Sequence, residues 1–153
     1  MVMGILLEIG KMEKIKIKRL DKSIELPKFQ REGDAALDIR SSEDCVLKVG
    51  ERRVVKTGLI FEIPLGYAGL IWDRGGMAAK HGIHTMAGVL DSNYRGELMI
   101  VLKNLSEEDF NIEKGMRIAQ MLIQKVENMD VEEVEEVSDT NRGEGRFSSS
   151  GYK

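Results

Sequence analysis

Four short stretches of this 153-residue chain carry residue types that handle a charged, ring-bearing ligand. Asp91-Ser92-Asn93-Tyr94-Arg95-Gly96 lies between two apolar runs. Its Asp, Ser, Asn and Gly suit a plain hairpin turn. Such a turn also holds the Asp91 carboxylate and the flat Tyr94 ring on a rigid support. Asp73-Arg74-Gly75-Gly76-Met77-Ala78 places an arginine and two glycines just before a short helix candidate. Backbone N–H groups at a helix start attract phosphate, and glycine lets the backbone come close. Arg117 and Gln120 sit in a strand-like run after Gly115, where an amide between apolar neighbours must find partners. Arg142, Arg146 and Phe147 lie in a tail, Thr140 to Lys153, in which six of fourteen residues are Gly or Ser. By composition that is a flexible tail. Arginines and an aromatic ring among glycines are also what a segment closing over an anionic, ring-bearing ligand requires. His81 and His84, three apart, fit one helix face with no third metal ligand near in sequence, so they read as surface or packing residues.

Composition narrows the classes. There are 23 basic and 26 acidic side chains, a net charge of −3. Broad electrostatic binding of nucleic acid calls for a basic excess, so no nucleic-acid partner is expected. The one cysteine, Cys45, rules out an internal disulfide and multi-cysteine metal sites. The run Ile5-Leu6-Leu7 is too short for a signal-peptide core. No apolar run approaches the roughly 20 residues that span a bilayer. The expectation is a soluble, cytoplasmic protein without a membrane partner.

The elements that must hold these residues are short. Sixteen glycines against two prolines, spread beside brief apolar runs, point to strands joined by turns. Lys14 to Leu20 alternates charged and apolar residues, the signature of a half-buried strand. Further strands are expected at Cys45–Val49, Val54–Ile63, Tyr67–Trp72, Glu97–Leu102, Phe110–Ile112 and Arg117–Ile123. This spacing reads as an all-β sandwich or barrel. The one helix candidate is Gly76 to His81. From Glu127 to Asp139 run seven acidic residues and no basic one. The spacing of Val131, Val134 and Val137 there admits either a helix face or a short edge strand.

Taken in order, five segments resemble the motifs of the homotrimeric dUTPase family, enzymes that hydrolyse dUTP to dUMP and pyrophosphate. They are Gly33-Asp34-Ala35-Ala36-Leu37-Asp38-Ile39, Arg74-Gly75-Gly76-Met77-Ala78-Ala79-Lys80, Gly88-Val89-Leu90-Asp91-Ser92-Asn93-Tyr94-Arg95-Gly96, Gly115-Met116-Arg117-Ile118-Ala119-Gln120 and Arg142-Gly143-Glu144-Gly145-Arg146-Phe147-Ser148-Ser149-Ser150-Gly151. The resemblance runs from about Ile15 to the end. It divides the chain into an N-terminal extension (1–11), a β domain (12–139) and a mobile C-terminal arm (140–153). It implies a jelly-roll-like fold and a homotrimer with active sites shared between subunits.

The resemblance also implies roles. Asp91 activates the water that attacks the α-phosphorus, within hydrogen-bond reach as a base must be. Tyr94 packs under the deoxyribose and leaves no room for a 2′-hydroxyl. The backbone of Ala87, Gly88, Val89 and Leu90 pairs with the uracil edge. Arg74, Gly75, Gly76, Arg117 and Gln120 hold the phosphates. Arg142, Ser148, Ser149 and Ser150 clamp the outer phosphates, and Phe147 stacks over uracil. Mg²⁺ rides on the triphosphate mostly through water, and Asp38 binds or orients waters near it.

Three positions depart from the family pattern. Gly75 stands where a serine is usual, and Arg146 and Ser148 stand where glycines are usual. Gly75 sustains a second reading, a nucleotide-binding protein of the same fold with weak or no hydrolysis. A deoxycytidine triphosphate deaminase of the same superfold calls for a glutamate beside the hairpin. No acidic residue lies between Gly82 and Val89.

Overall fold

The computed structural model describes residues 13–146. In chain order these form β1 (Lys16–Arg19), β2 (Leu37–Arg40), β3 (Cys45–Leu47), β4 (Arg52–Glu62), β5 (Tyr67–Trp72), α1 (Gly75–His81), β6 (Ile83–Met86), β7 (Val89–Leu90), β8 (Glu97–Asn104), β9 (Phe110–Ile112) and β10 (Arg117–Lys125). One antiparallel sheet has the order β1-β4-β8-β6 and a second β2-β10-β5-β7, with β3 and β9 as a separate pair. The all-β expectation holds. β2, β6 and β7, of four, four and two residues, add to the expected strands. The helix begins at Gly75, one residue before the expected start.

Period-two patterning builds the core. Along β8, Leu98, Ile100 and Leu102 face inward while Met99 faces out. From β4, Val55, Leu59 and Phe61 join them, and from the other sheet Leu37, Ile39, Ile118 and Met121. Met77 of α1 and Ile83 of β6 extend the same cluster. Burying each such side chain contributes roughly 1.5–3 kcal/mol. Asn104 is fully buried at the end of β8, but its amide is satisfied. Nδ2 donates to the carbonyls of Leu47 (3.0 Å) and Glu108 (2.8 Å), and Oδ1 accepts from the Ser106 N–H and hydroxyl.

The segment from Glu127 to Asp139 forms neither a helix nor a strand. The last ladder contact is the Val126 N–H donating to the Gly66 carbonyl at 2.9 Å. Beyond it Val131 and Val137 are 99% and 84% exposed. Seven carboxylates within thirteen residues repel one another, and all three valines are exposed. The histidines do not share a helix face either. Gly82, in the left-handed conformation (φ 61), ends α1. His81 therefore stays on the helix, its ring 5.0 Å from that of Phe110, while His84 lies on β6.

The two sheets are fastened at Asp73, just past the end of β5. Its Oδ1 accepts hydrogen bonds from the N–H (2.5 Å) and hydroxyl (2.6 Å) of Thr85, and its Oδ2 lies 2.8 Å from His84 Nδ1. An ionised carboxylate only accepts, so His84 Nδ1 carries the proton in this pair. Burial pushes the Asp73 pKa up. The bonds from the Thr85 hydroxyl, His84 and the Thr85 N–H outweigh that and hold it below the usual carboxylate range. A depressed carboxyl pKa adds stability that is complete above the unfolded value of about 3.9 and is lost as pH falls through the lower folded value. Asp73→Asn is accordingly expected to lose about 1–3 kcal/mol at neutral pH. The difference from the parent should shrink as pH falls below about 4, where the unfolded parent takes up the proton first and the folded carboxylate follows at its lower pKa. Urea unfolding across a pH series measures both effects, and a pH-independent difference would remove Asp73 from the acid limb.

Candidate active site

The phosphate-binding candidates come together on the second sheet. Asp38 on β2 lies opposite Gln120 on β10, and Gln120 lies opposite Trp72 on β5. This register brings three distant segments to one sheet surface. Arg74 Nε donates to Asp38 Oδ1 at 3.0 Å, and Arg117 NH1 donates to Asp38 Oδ2 at 3.2 Å. One largely buried carboxylate (side chain 14% exposed) thus orients two guanidinium groups. The trio keeps one net positive charge. Guanidinium forks suit phosphate oxygens. Gln120 Nε2 donates to the Asp73 carbonyl at 2.7 Å, so the amide has the partner its apolar neighbours required.

Gly75 and Gly76 open α1 directly beside this cluster, with Arg74 as the N-cap residue. The first turn of the helix holds no acidic residue, and Lys80 and His81 occupy its last turn. The first feature leaves the positive end of the helix dipole without an acidic side chain of its own turn, and the second complements the negative end. Gly75 does not adopt a left-handed conformation, and a Cβ built on it meets nothing within 4 Å. Neither backbone conformation nor space requires a glycine there.

The hairpin candidates form a different wall. Ala87 (φ 63) and Gly88 (φ 152) link β6 of one sheet to β7 of the other. The Ile71 N–H donates to the Gly88 carbonyl at 2.7 Å, and a Cβ on Gly88 would lie 2.8 Å from the Ile71 carbonyl oxygen. Only glycine tolerates that approach. Val89 and Leu90 then pair with Leu70 and Gly69 of β5. Beside them a cavity of about 270 Å³ is lined by Ile71, the stretch from Met86 to Asp91, Tyr94 and the start of β8. Asp91 is exposed at its rim, and its carbonyl accepts the Tyr94 N–H at 3.2 Å to close the turn. The Tyr94 hydroxyl donates to the Glu97 carbonyl at 3.2 Å. Arg95 donates to the carbonyls of Ser92 and Tyr94 and stiffens the same turn.

The structure therefore unites Asp38, Arg74, Arg117 and Gln120, and separately unites Ala87 to Asp91 with Tyr94. A second cavity, of about 640 Å³, includes Asp38 and Gln120 but none of the hairpin residues. Arg142 sits in an exposed turn, its Nε donating to the Gly145 carbonyl at 3.0 Å, and joins neither group. Phe147, Ser148, Ser149 and Ser150 lie outside the described residues.

Asp73 has no expected role in the sequence, yet its carbonyl anchors Gln120 and its carboxylate fixes β6. A carboxylate directly before Arg74 was the available signal. Its partners, eleven and twelve residues away, needed the fold. Among the described residues no three His, Cys, Asp or Glu side chains converge as a metal cage. No described helix is long and apolar enough to cross a membrane.

Comparison with known proteins points the same way. The dUTPase family model matches residues 22–151. Deoxyuridine 5'-triphosphate nucleotidohydrolase of Nautilia profundicola is 46% identical over 140 residues, 90% of this chain and 99% of that protein. The enzyme of the same name from Corynebacterium glutamicum is also 46% identical over 140 residues, 90% of this chain and 94% of its own. A dUTPase variant of Staphylococcus bacteriophage 80alpha, solved with dUpNHpp, superposes with a TM-score of 0.85 at 32% identity, covering 90% of this chain and 98% of that one. A dUTPase variant from phage phi11 of S. aureus, which reveals the coordination of a structural Mg(II) ion, aligns at 25% identity with a TM-score of 0.78, over 83% of this chain and 100% of that one. The ordered motifs, the jelly-roll-like β fold and these matches along nearly the whole length agree: the chain belongs to the dUTPase family.

Proposed function

We propose that this protein is a dUTP diphosphatase, working in the cytoplasm as a homotrimer whose active sites are shared between subunits. One observation carries the reading. The guanidinium cluster around Asp38 and the hairpin residues Asp91 and Tyr94 are each well built, yet they line different cavities of the protomer. A nucleoside triphosphate needs both, so a second copy supplies the hairpin. Residues 12–139 form the catalytic domain, and residues 140–153 act as the arm that closes a site. Sedimentation at micromolar concentration tests the assembly, and a monomer would remove the shared site.

The chemistry follows from the residues. The backbone of Ala87 to Leu90 reads the uracil edge, and Tyr94 lies against the sugar. Arg74, Arg117, Gln120 and the amides of Gly75 and Gly76 hold the phosphate oxygens, with Asp38 keeping both guanidinium groups in place. Arg142, Ser148, Ser149 and Ser150 grip the outer phosphates, and Phe147 covers the base. Asp91 takes a proton from a water whose oxygen bonds to the α-phosphorus. The bond from that phosphorus to the bridging oxygen breaks, and pyrophosphate leaves with the electron pair.

With no three-ligand cage among the described residues, the donor set fits a Mg²⁺ carried by the triphosphate and its waters rather than a resident ion. Bound there, Mg²⁺ neutralises charge on the phosphate chain. Asp38 is the carboxylate of the cluster and would hold waters of such an ion. Each of its oxygens keeps a second lone pair beyond its guanidinium bond, open to a metal-bound water.

A second reading, binding with little hydrolysis, rests on Gly75. No hydroxyl stands at that position to donate to the phosphate chain as charge builds up. Incubation with each deoxynucleoside triphosphate plus Mg²⁺, assayed for pyrophosphate, separates the two readings. Selective release from dUTP is expected, and tight binding without release would favour the second.

Asp91→Asn should lower kcat by about 10²–10⁴, the range of general-base catalysis, while leaving dUTP affinity within a few fold. Parent-like turnover would leave Asp91 as a turn residue only. Because Gly75 has ordinary backbone and open space, Gly75→Ser should fold as well as the parent. An added donor to the phosphate chain is expected to raise kcat, by up to about 10² on the oxyanion-hole scale, with little change in KM. Steady-state kinetics and a melting curve on the same sample read both. An unchanged kcat would mean that backbone amides or water already serve the phosphates.

A further inference from the structure

We infer that Gly96 is a specificity-positioning residue: its missing side chain is the space in which the Tyr94 phenol lies. The inference rests on the reading that Tyr94 faces the sugar. Gly96 is not in the left-handed region, so its backbone conformation accepts any L-residue. The reason for a glycine is space. A Cβ built there would lie 2.5 Å from Tyr94 Cζ and 3.1 Å from Cε2, and nearer still to the hydroxyl oxygen. All three nearest atoms belong to the one phenol.

The turn around it is arranged to hold that pose. The Tyr94 side chain folds across Gly96, and its hydroxyl donates to the Glu97 carbonyl on the far side at 3.2 Å. The Tyr94 N–H is fixed by the Asp91 carbonyl, and Arg95 NH1 donates to the Tyr94 carbonyl at 2.9 Å. The backbone at Tyr94 is thus pinned, and the ring turns about χ1 and χ2 alone. With Cβ absent at Gly96 the ring settles into the resulting notch and forms part of the cavity wall that also holds Asp91. Tyr94 is 45% exposed, so a ring pushed out of the notch has solvent to move into. An added methyl therefore moves the ring rather than the backbone. The wall facing C2′ opens, and a ribonucleotide becomes more acceptable.

The test measures kcat/KM for dUTP and for UTP with Mg²⁺ in the parent, Gly96→Ala, Tyr94→Ala and the double variant. Gly96→Ala should reduce the dUTP preference at least about tenfold, the scale of one steric contact in a pocket, chiefly by improving UTP. In the Tyr94→Ala background the same change should have no further effect, because no phenol remains to displace. Equal effects of Gly96→Ala in both backgrounds would place the change in the backbone and overturn the inference. An unchanged dUTP preference in Gly96→Ala, with Tyr94→Ala impaired, would overturn it while leaving the role of Tyr94 intact. An unchanged preference in Tyr94→Ala would remove the reading on which the inference stands. If Gly96→Ala alone fails to fold, a folded double variant supports the steric link to the phenol, and an unfolded one overturns it.

Discussion

The junction from Ile71 to Arg74 is the constraint on which the site depends. Within four residues it touches the hairpin link, β6, Gln120, Asp38 and the start of α1. Ile71 N–H holds the Gly88 carbonyl and so sets the hairpin. The Asp73 carboxylate secures β6 at the base of that hairpin, and the Asp73 carbonyl holds Gln120. Arg74 then meets Asp38 and caps α1. A partly buried carboxylate needs partners in place of the water it loses. The three bonds from His84 and Thr85 supply them and tie one sheet to the other at that point.

Charge is arranged with the same economy. Asp38 lies between two arginines whose forks would otherwise sample many rotamers. Side chains as long as arginine lose up to about 2 kcal/mol of rotamer entropy when ordered. Ordering the guanidinium groups before substrate arrives moves that loss out of the binding step. The trio still carries an excess positive charge, which suits an anionic ligand. The hairpin cavity is mostly apolar, with Asp91 at the rim, and suits a base and sugar rather than phosphates. The two halves thus suit the two parts of the proposed ligand, and their opening into different cavities of the protomer is what the proposed assembly rests on.

The exposed valines after β10 illustrate the limit of pattern reading. Val131, Val134 and Val137 are spaced as one helix face, and the segment also follows a β-rich stretch. Neither element forms, because spacing creates a stripe but no partner surface for it, and the acidic neighbours favour solvation. His81 and His84 show the same limit. Their spacing suited a helix, but Gly82 between them ends it. A glycine between two periodic positions was visible in the chain and carried more weight than the period itself.

The sequence by itself determined the all-β class, the main strands, the short helix and the set of residues suited to a nucleotide. Strand alternation, turn-forming residues and the order of the motifs are local properties, legible without coordinates. Pairing is not local. That Asp38 bridges Arg74 and Arg117 depends on β2, β10 and β5 being neighbours in one register, across gaps of 36 and 79 residues. The partners of Asp73, the open space at Gly75 and the phenol lying over Gly96 are likewise decided by packing. Only the tertiary structure settled them, because hydrogen-bond geometry and steric exclusion act between atoms that the chain brings together only when it folds.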